Sequence, residues 1–220
     1  MIQWISRGLN RVASKVIDLL PMKSIAIFAS GAGSNAQEII RYFKGHPLIR
    51  ISLVVTNKPE AGVVQVAANV DIPVLTIEKE RFFRGDAYIP ELELSGIDFI
   101  VLAGFLWKVP DALVNAYRNR MINIHPALLP AYGGKGMYGS KVHEAVISSG
   151  EKQSGISIHF VDEVFDHGKV IFQANCEVVP GDTPASLAER IHGLEHANYP
   201  RVIEQLLDPK TTLNTDPGKP

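Results

Sequence analysis

Two polar side chains at the end of a short apolar segment could catalyse acyl transfer. Asn123 and His125 stand two residues apart in Asn123-Ile-His-Pro126, where a predicted strand ends. Residues two apart on a strand point to the same face, so an amide and an imidazole would converge on one reacting atom. Such donors stabilise the oxyanion of a tetrahedral intermediate. The pair alone is weak evidence, because a structural histidine fits the same segment equally well.

An acidic segment later in the chain offers a partner for His125. It reads Asp162-Glu163-Val-Phe-Asp166-His-Gly168 and lies between two predicted strands. A carboxylate beside the imidazole would raise its pKa and could relay protons through water. The residues alone leave open which carboxylate does this, and an acidic turn is also a common solvent-exposed turn.

A glycine-rich segment predicts an anion site. Gly31-Ala-Gly33-Ser34-Asn35-Ala36 follows the first predicted strand and opens a helix, which Ser34 or Asn35 could cap. Glycines let the backbone approach a ligand, and the first N–H groups of a helix bind anions. A dinucleotide would need an acidic residue after the second strand, where Thr56-Asn57-Lys58 stands instead. A phosphate monoester is therefore favoured, with a plain tight turn as the alternative.

A third motif, His192-Gly-Leu-Glu195-His196, has the spacing of one zinc-protease class. No third ligand is evident, and a parallel sheet is the wrong context for that class. We therefore predict an ordinary helix face and no metal site.

The elements that must position these groups form a regular pattern. Apolar runs alternate with helical segments in the first half of the chain, which predicts an open, mostly parallel twisted sheet with helices on both faces. Two later strands, Gly155–Val161 and Lys169–Val178, are separated only by a turn and should be antiparallel. Helices are predicted from Asp86 to Ser95 in the first half of the chain and from Thr183 to about Leu207 at its end. Ligands bind outside the carboxyl ends of the strands in such α/β sheets. The predicted strands of the first half are Ser24–Ala29, Ile51–Val55, Pro73–Ile77, Phe99–Ala103 and Met121–Ile124.

The composition of the chain argues against several classes of function. The 220 residues are enough for one domain, and a net charge of -1 without a basic run argues against nucleic-acid or membrane binding. The single cysteine, Cys176, excludes an intrachain disulfide and suits a reducing compartment. No apolar run is long enough to span a membrane. We expect a cytoplasmic protein that is a monomer or weak homodimer.

The two ends of the chain differ from its body. Residues 1–21 carry one apolar helical stripe, which suits a helix packed on the body, a membrane-surface helix, or an extension upstream of a true start at Met22. The last two are slightly favoured. Residues 22–207 form the predicted domain, and the polar, proline-rich tail at 208–220 is expected to be disordered.

Taken together, the segments from Lys23 to about Leu207 resemble the phosphoribosylglycinamide (glycinamide ribonucleotide) formyltransferases, which have a Rossmann-like formyltransferase fold. Seven segments carry the resemblance, in the order and at nearly the spacings of that family. They are Ser30-Gly-Ala-Gly-Ser-Asn35, Leu102-Ala-Gly-Phe105, Asn123-Ile-His-Pro-Ala-Leu-Leu-Pro130, His159-Phe-Val161, Asp166-His-Gly168, Gly181-Asp-Thr183 and Glu195-His196.

The resemblance implies that 10-formyltetrahydrofolate is the cosubstrate and phosphoribosylglycinamide the acceptor, with no metal. It implies that the substrate amine attacks the formyl carbon, that Asn123 and protonated His125 stabilise the oxyanion, and that Asp166 keeps the histidine charged and relays the proton. Glu195 would orient the substrate. Its phosphate would lie on Gly33, Ser34 and Asn35, and the folate would contact Leu106, Trp107, Lys108, Val109, Asn123 and Arg84.

Some features depart from the family pattern. Leu106-Trp-Lys-Val109 replaces the usual Met-Arg-Ile-Leu, Arg84 is one residue too far from Tyr88, and Gly133–Gly139 is longer than usual. Three alternative functions stay open. Methionyl-tRNA formyltransferases share the chemistry but carry a further tRNA-binding domain and lack the phosphate loop. Formyltetrahydrofolate hydrolases, and a non-catalytic folate- or nucleotide-binding module, are the other two.

Overall fold

The computed structural model describes residues 21–208, so the predictions for residues 1–21 and 208–220 fall outside it apart from Pro21 and Asp208. The elements in chain order are β1 (Lys23–Phe28), α1 (Ser34–Tyr42), β2 (Ile49–Thr56), α2 (Gly62–Ala68), β3 (Val74–Thr76), α3 (Lys79–Phe82), α4 (Ile89–Leu94), β4 (Phe99–Leu102), α5 (Asp111–Ala116), β5 (Met121–His125), α6 (Ser140–Ser148), β6 (Gln153–Phe160), β7 (Val170–Glu177) and α7 (Pro184–Leu207). Within these residues no helix is long and apolar enough to cross a membrane.

All the strands belong to one seven-stranded sheet in the order β3-β2-β1-β4-β5-β6-β7. The first five strands pair in parallel, and β6 and β7 are antiparallel to their neighbours. This confirms the predicted open, mostly parallel α/β sheet with an antiparallel C-terminal hairpin. The strand order reverses between β1 and β4, and a crevice opens for ligands at the carboxyl ends of the strands on either side of such a reversal.

Both faces of the central strands β1, β4 and β5 are largely buried, as continuous apolar strands require. Along β1, Ile25 and Ile27 face one side, and Ala26 and Phe28 face the other. The first side packs against α1, α2, α6 and α7, and the second against α3, α4 and α5. The sheet is therefore packed between two apolar layers, which fix the position of the carboxyl ends of its strands.

The longest of these helices, α7, is bonded to the strands at the carboxyl edge of the sheet. Thr183 and Ser186 form a capping box at its start. Further along, the hydroxyl of the fully buried Tyr199 lies 3.0 Å from the carbonyl oxygen of Leu102 and 3.4 Å from that of Ile122. Since these carbonyls belong to β4 and β5, this contact fixes α7 beside the strand ends.

Several helix predictions differ from the structure. The helix expected from Asp86 to Ser95 covers only Ile89–Leu94, and the short α3 was not predicted. Gly85, with a φ of 100°, lies in the break between the two helices, a conformation that a helix cannot contain. The helix α6 was also missed, although Val142 and Val146 stand four residues apart and both face the core.

Candidate active site

A cavity of about 680 Å³ opens at the carboxyl ends of the strands. Its walls come from the loop after β1, the turn after β4, the end of β5, the glycine-rich segment before α6, the β6–β7 connection and α7. Nearly all of the predicted site residues line it, while Arg84 is exposed and lies outside it. Those in the lining are Gly33, Ser34, Asn35, Leu106, Trp107, Lys108, Val109, Asn123, His125, Asp166 and Glu195.

Asp166 is the carboxylate that reaches the predicted catalytic pair. Its Oδ2 lies 3.5 Å from His125 Nδ1 and accepts a 2.9 Å hydrogen bond from the Gly134 N–H. Its Oδ1 accepts from Asn123 Nδ2 at 3.4 Å. With a φ of 53°, Asp166 has a left-handed backbone, a conformation that costs energy and is concentrated at functional sites.

The other two carboxylates of the acidic segment are engaged elsewhere. Asp162 Oδ2 lies 2.8 Å from Nδ1 of the exposed His167, and its Oδ1 accepts from the Val164 N–H. Glu163 forms an ion pair with Arg118 on the surface. The choice that the residues alone left open is therefore resolved in favour of Asp166.

A second buried histidine, His159, completes this cluster, and sequence reasoning assigned it no role. Its Nε2 lies 3.1 Å from Asn123 Nδ2 and 3.6 Å from Asp166 Oδ1. Its Nδ1 donates to the carbonyl oxygen of Phe160 at 2.9 Å, so in the neutral ring Nε2 accepts from the amide of Asn123. The antiparallel register of β5 and β6 pairs Asn123 with His159, and no sequence signal reveals this pairing.

Burial controls the charge of His125. Removal from water lowers the pKa of its imidazole below the ordinary value, and nearby His159 lowers it further. Asp166 and the Tyr132 carbonyl, which accepts a 2.8 Å hydrogen bond from Nε2, act in the opposite direction without prevailing. Asp166 thus raises this pKa, as expected of the carboxylate, but the net shift is downward because desolvation outweighs the ion pair.

Asp166 stays ionised in the same surroundings. Burial alone would raise the pKa of its carboxyl group, but the contact with His159, the charge of His125 and the Gly134 N–H together lower it. The cavity floor thus carries a fixed negative charge next to an imidazole. A proton that arrives on His125 Nδ1 would face that charge directly.

The loop after β1 presents backbone N–H groups to the cavity. Gly33 is the N-cap of α1 with a φ of 83°, and a Cβ at this position would lie 2.8 Å from Val63 Cα. No side chain caps the helix, so the expected capping by Ser34 or Asn35 is wrong. Asn35 instead donates its amide to Glu195 Oε2 at 2.8 Å, which leaves the helix terminus open to an anion.

Glu195 is a buried acid at this end of the cavity. Burial raises the pKa of its carboxyl group, against opposing effects of the Asn35 hydrogen bond and of His192. His143 is buried nearby and lines the cavity, and its Nδ1 has no hydrogen-bond partner. Across residues 21–208, no three histidine, cysteine or acidic side chains are arranged to hold a metal ion.

The turn after β4 gives the cavity an aromatic wall. Phe105 packs edge-on against Phe28, with ring centroids 5.4 Å apart. Trp107 lies 5.7 Å from Phe82 and 5.5 Å from the exposed Phe83. Of the remaining predicted folate contacts, Leu106 is exposed, Val109 is buried in the core, and Lys108 forms a 3.0 Å ion pair with Asp111.

Two known proteins with related sequences come from a bacterium and a plant. The phosphoribosylglycinamide formyltransferase of Bacillus subtilis (strain 168) is 38% identical over 191 residues, which cover 84% of this chain and 95% of the relative. A chloroplastic phosphoribosylglycinamide formyltransferase of Arabidopsis thaliana is 40% identical over 200 residues, which cover 88% of this chain and 68% of the relative.

A solved structure and a family match agree with these relatives. The crystal structure of phosphoribosylglycinamide formyltransferase from Bacillus halodurans has a TM-score of 0.78 at 36% identity and covers 88% of this chain and 100% of its own. Residues 23–203 match the family described as "Formyl transferase". Because this match spans the sheet, the cavity and the residues on its floor, the chain belongs to the formyl transferase family.

Proposed function

We propose that this protein transfers the formyl group of 10-formyltetrahydrofolate to the amine of phosphoribosylglycinamide, a step of purine (IMP) biosynthesis. The products are formylglycinamide ribonucleotide and tetrahydrofolate. The observation that carries the proposal is the convergence of Asn123, His125 and Asp166 on the floor of one cavity. The related phosphoribosylglycinamide formyltransferases of Bacillus subtilis and Arabidopsis thaliana support the same reaction.

The ribonucleotide occupies the end of the cavity nearest α1. Its phosphate accepts from the open N–H groups at Gly33, Ser34 and Asn35, where the helix dipole also favours a negative charge. Glu195, held by Asn35, orients the part of the substrate next to the phosphate. Because Glu195 is buried, a hydroxyl or amine that bonds to it is fixed in a single direction.

The folate occupies the opposite end, along Leu106–Val109. The exposed side chain of Leu106 and the ring of Trp107 provide apolar contacts for a flat heterocycle. Asn123 lines the same cavity and contacts the formyl group. The two substrates thus meet over the end of β5.

The reaction forms a C–N bond to the amine and breaks the C–N bond to the folate nitrogen. As the amine attacks, negative charge develops on the formyl oxygen, where the Asn123 amide and the His125 imidazolium stabilise it. Both donors are engaged without substrate, Asn123 with His159 and Asp166, and His125 with the Tyr132 carbonyl, so the formyl oxygen replaces one acceptor on each donor. Asp166 stabilises the charged imidazole. Through a water molecule it also accepts the proton that the amine loses, and this proton is then transferred to the leaving folate nitrogen.

The test is an absorbance assay with purified protein, 10-formyltetrahydrofolate and phosphoribosylglycinamide. Tetrahydrofolate should form only when the ribonucleotide is present. Formation without it would replace the proposal with a formyltetrahydrofolate hydrolase. No formation at all would leave a non-catalytic binding module or another formyl acceptor. A cytoplasmic, metal-independent enzyme that is a monomer or weak homodimer remains our prediction for its biological form.

A further inference from the structure

Ser30 is a buried residue that joins the two substrate-binding loops. It is the second residue beyond the end of β1, and 2% of its surface is exposed. Its Oγ accepts a 3.0 Å hydrogen bond from the Leu106 N–H, and its own N–H donates to the Gly104 carbonyl at 3.1 Å. One residue thus holds both ends of the turn from which the folate segment starts.

The contact continues the pairing of β1 and β4 beyond the sheet. The last paired residues of the two strands are Phe28 and Leu102, followed by a 2.8 Å bond from the Ala103 N–H to the Phe28 carbonyl. Beyond that point the two segments diverge: the one after β1 forms the glycine-rich loop, and the one after β4 forms the folate segment. Ser30 therefore sets how far apart these two segments stand.

Asn57, at the end of β2, orients the hydroxyl. Ser30 Oγ donates to Asn57 Oδ1 at 2.6 Å, so the hydroxyl proton is fixed there and a lone pair is left for the Leu106 N–H. The carbonyl of Gly31, the next residue, accepts from the Val63 N–H at 3.2 Å. The glycine-rich loop is thereby held from one side by α2 and from the other through Ser30.

We propose that Ser30 is a positioning residue that fixes the folate segment relative to the ribonucleotide loop. The inference rests on the proposed function, in which these segments carry the two reactants. An amine and a formyl carbon react efficiently only when they are held about 3–3.5 Å apart, and a misplacement of about 1 Å costs on the order of 10²-fold in rate. Loss of the hydroxyl frees the Leu106 N–H and lets the folate segment drift, while each loop keeps its own ligand contacts.

A second buried serine, near the start of β1, provides a matched control. Ser24 is also 2% exposed, but it lies at the opposite end of β1, where its Oγ accepts from Arg50 Nε at 2.8 Å. Ser24→Ala and Ser30→Ala each remove one buried hydroxyl acceptor from β1 or its end. Only the second variant alters the spacing of the substrate loops.

The experiment compares kcat, and the Kd of each substrate bound alone, for the wild type and both variants. Ser30→Ala should lose kcat by roughly 10- to 100-fold while each Kd changes by less than about threefold. Ser24→Ala should keep its kcat. A kcat for Ser30→Ala within about twofold of the wild type, or an equal loss in Ser24→Ala, would overturn the inference.

A further variant keeps the test decisive if Ser30→Ala does not fold. Asn57→Ala retains the Ser30 hydroxyl but removes the acceptor that orients it, and it should give a smaller loss of kcat with little change in Kd. Unchanged turnover in that variant would count against the inference. An active wild type with fully active Ser30 and Asn57 variants overturns this inference alone, whereas an inactive wild type overturns the proposed function and the inference with it.

Discussion

Replacement of Asp166 by asparagine tests the electrostatics of the site most directly. The change keeps the size of the side chain and removes the one charge beside His125. At a separation of 3.5 Å and an effective dielectric constant of about 20, two unit charges attract by about 5 kcal/mol. Since each 1.36 kcal/mol is about tenfold in rate, the complete loss of this attraction corresponds to a factor between about 10³ and 10⁴, which is an upper limit. We expect kcat for Asp166→Asn to fall by roughly 10²- to 10³-fold.

The same change should also move the pH dependence of the reaction. The pKa of His125 is already lowered by burial, and without the carboxylate it should fall further. Catalysis that needs the imidazolium would then decline at a lower pH in Asp166→Asn than in the wild type. The folate Kd, measured by calorimetry, should change little, because the charge acts on the histidine rather than on the bound heterocycle.

A neighbouring carboxylate serves as the control for that experiment. Glu163→Gln removes a negative charge from the same segment, but this side chain pairs with Arg118 on the surface and does not line the cavity. Its kcat should equal that of the wild type. The reasoning is refuted if Asp166→Asn turns over within about threefold of the wild type, or if Glu163→Gln loses as much activity.

Two further changes test the walls of the cavity. Gly33→Ala places a Cβ 2.8 Å from Val63 Cα at a φ of 83°. It should therefore raise the ribonucleotide KM more than the folate KM, and it should lower the unfolding free energy by about 1–3 kcal/mol. The control, Gly45→Ala, has a φ of 74° with open space around the new Cβ and should leave both KM values unchanged. Burial lowers the pKa of His143 below its ordinary value of 6.5, and the nearby His192 and His125 lower it further. At a pH below 6.5 the folded chain therefore binds fewer protons than the unfolded chain, so the protein loses stability as the pH falls below that value. In urea unfolding at about pH 7.5 and 5.5, His143→Leu should lose less stability than the wild type, and an equal loss would contradict the assigned pKa.

Sequence reasoning predicted the fold well where burial is continuous. Phe99–Leu102 is buried along its whole length, and such an apolar run identifies a central parallel strand without any knowledge of its neighbours. It was less successful where the structure depends on a tertiary contact. The short α3 has four residues, and its only fully buried side chain, Phe82, packs on the aromatic wall, so no helical period is visible in it.

For the candidate site, too, the sequence predicted the local features but not those that depend on tertiary contacts. Asn123 and His125 share a face because of strand geometry, which the sequence reveals locally. The choice of Asp166 over Asp162, and the presence of His159, depend on a register between β5 and β6 that only the folded chain fixes. The lowered pKa of His125 also escaped sequence reasoning, because the desolvation of a side chain is a property of everything packed around it.

The order in which the site residues occur along the chain has a consequence for synthesis on the ribosome. The glycine-rich loop for which we propose phosphate binding, and the strand with Asn123, lie within the segment of the first five strands, whereas Asp166 lies in the β6–β7 connection and Glu195 on α7. A nascent chain that has folded only its parallel strands therefore holds the glycine-rich loop and both Asn123 and His125, with no carboxylate beside the histidine. Since Tyr199, which ties α7 to β4 and β5, is made later still, the catalytic centre closes only when translation has passed the last helix.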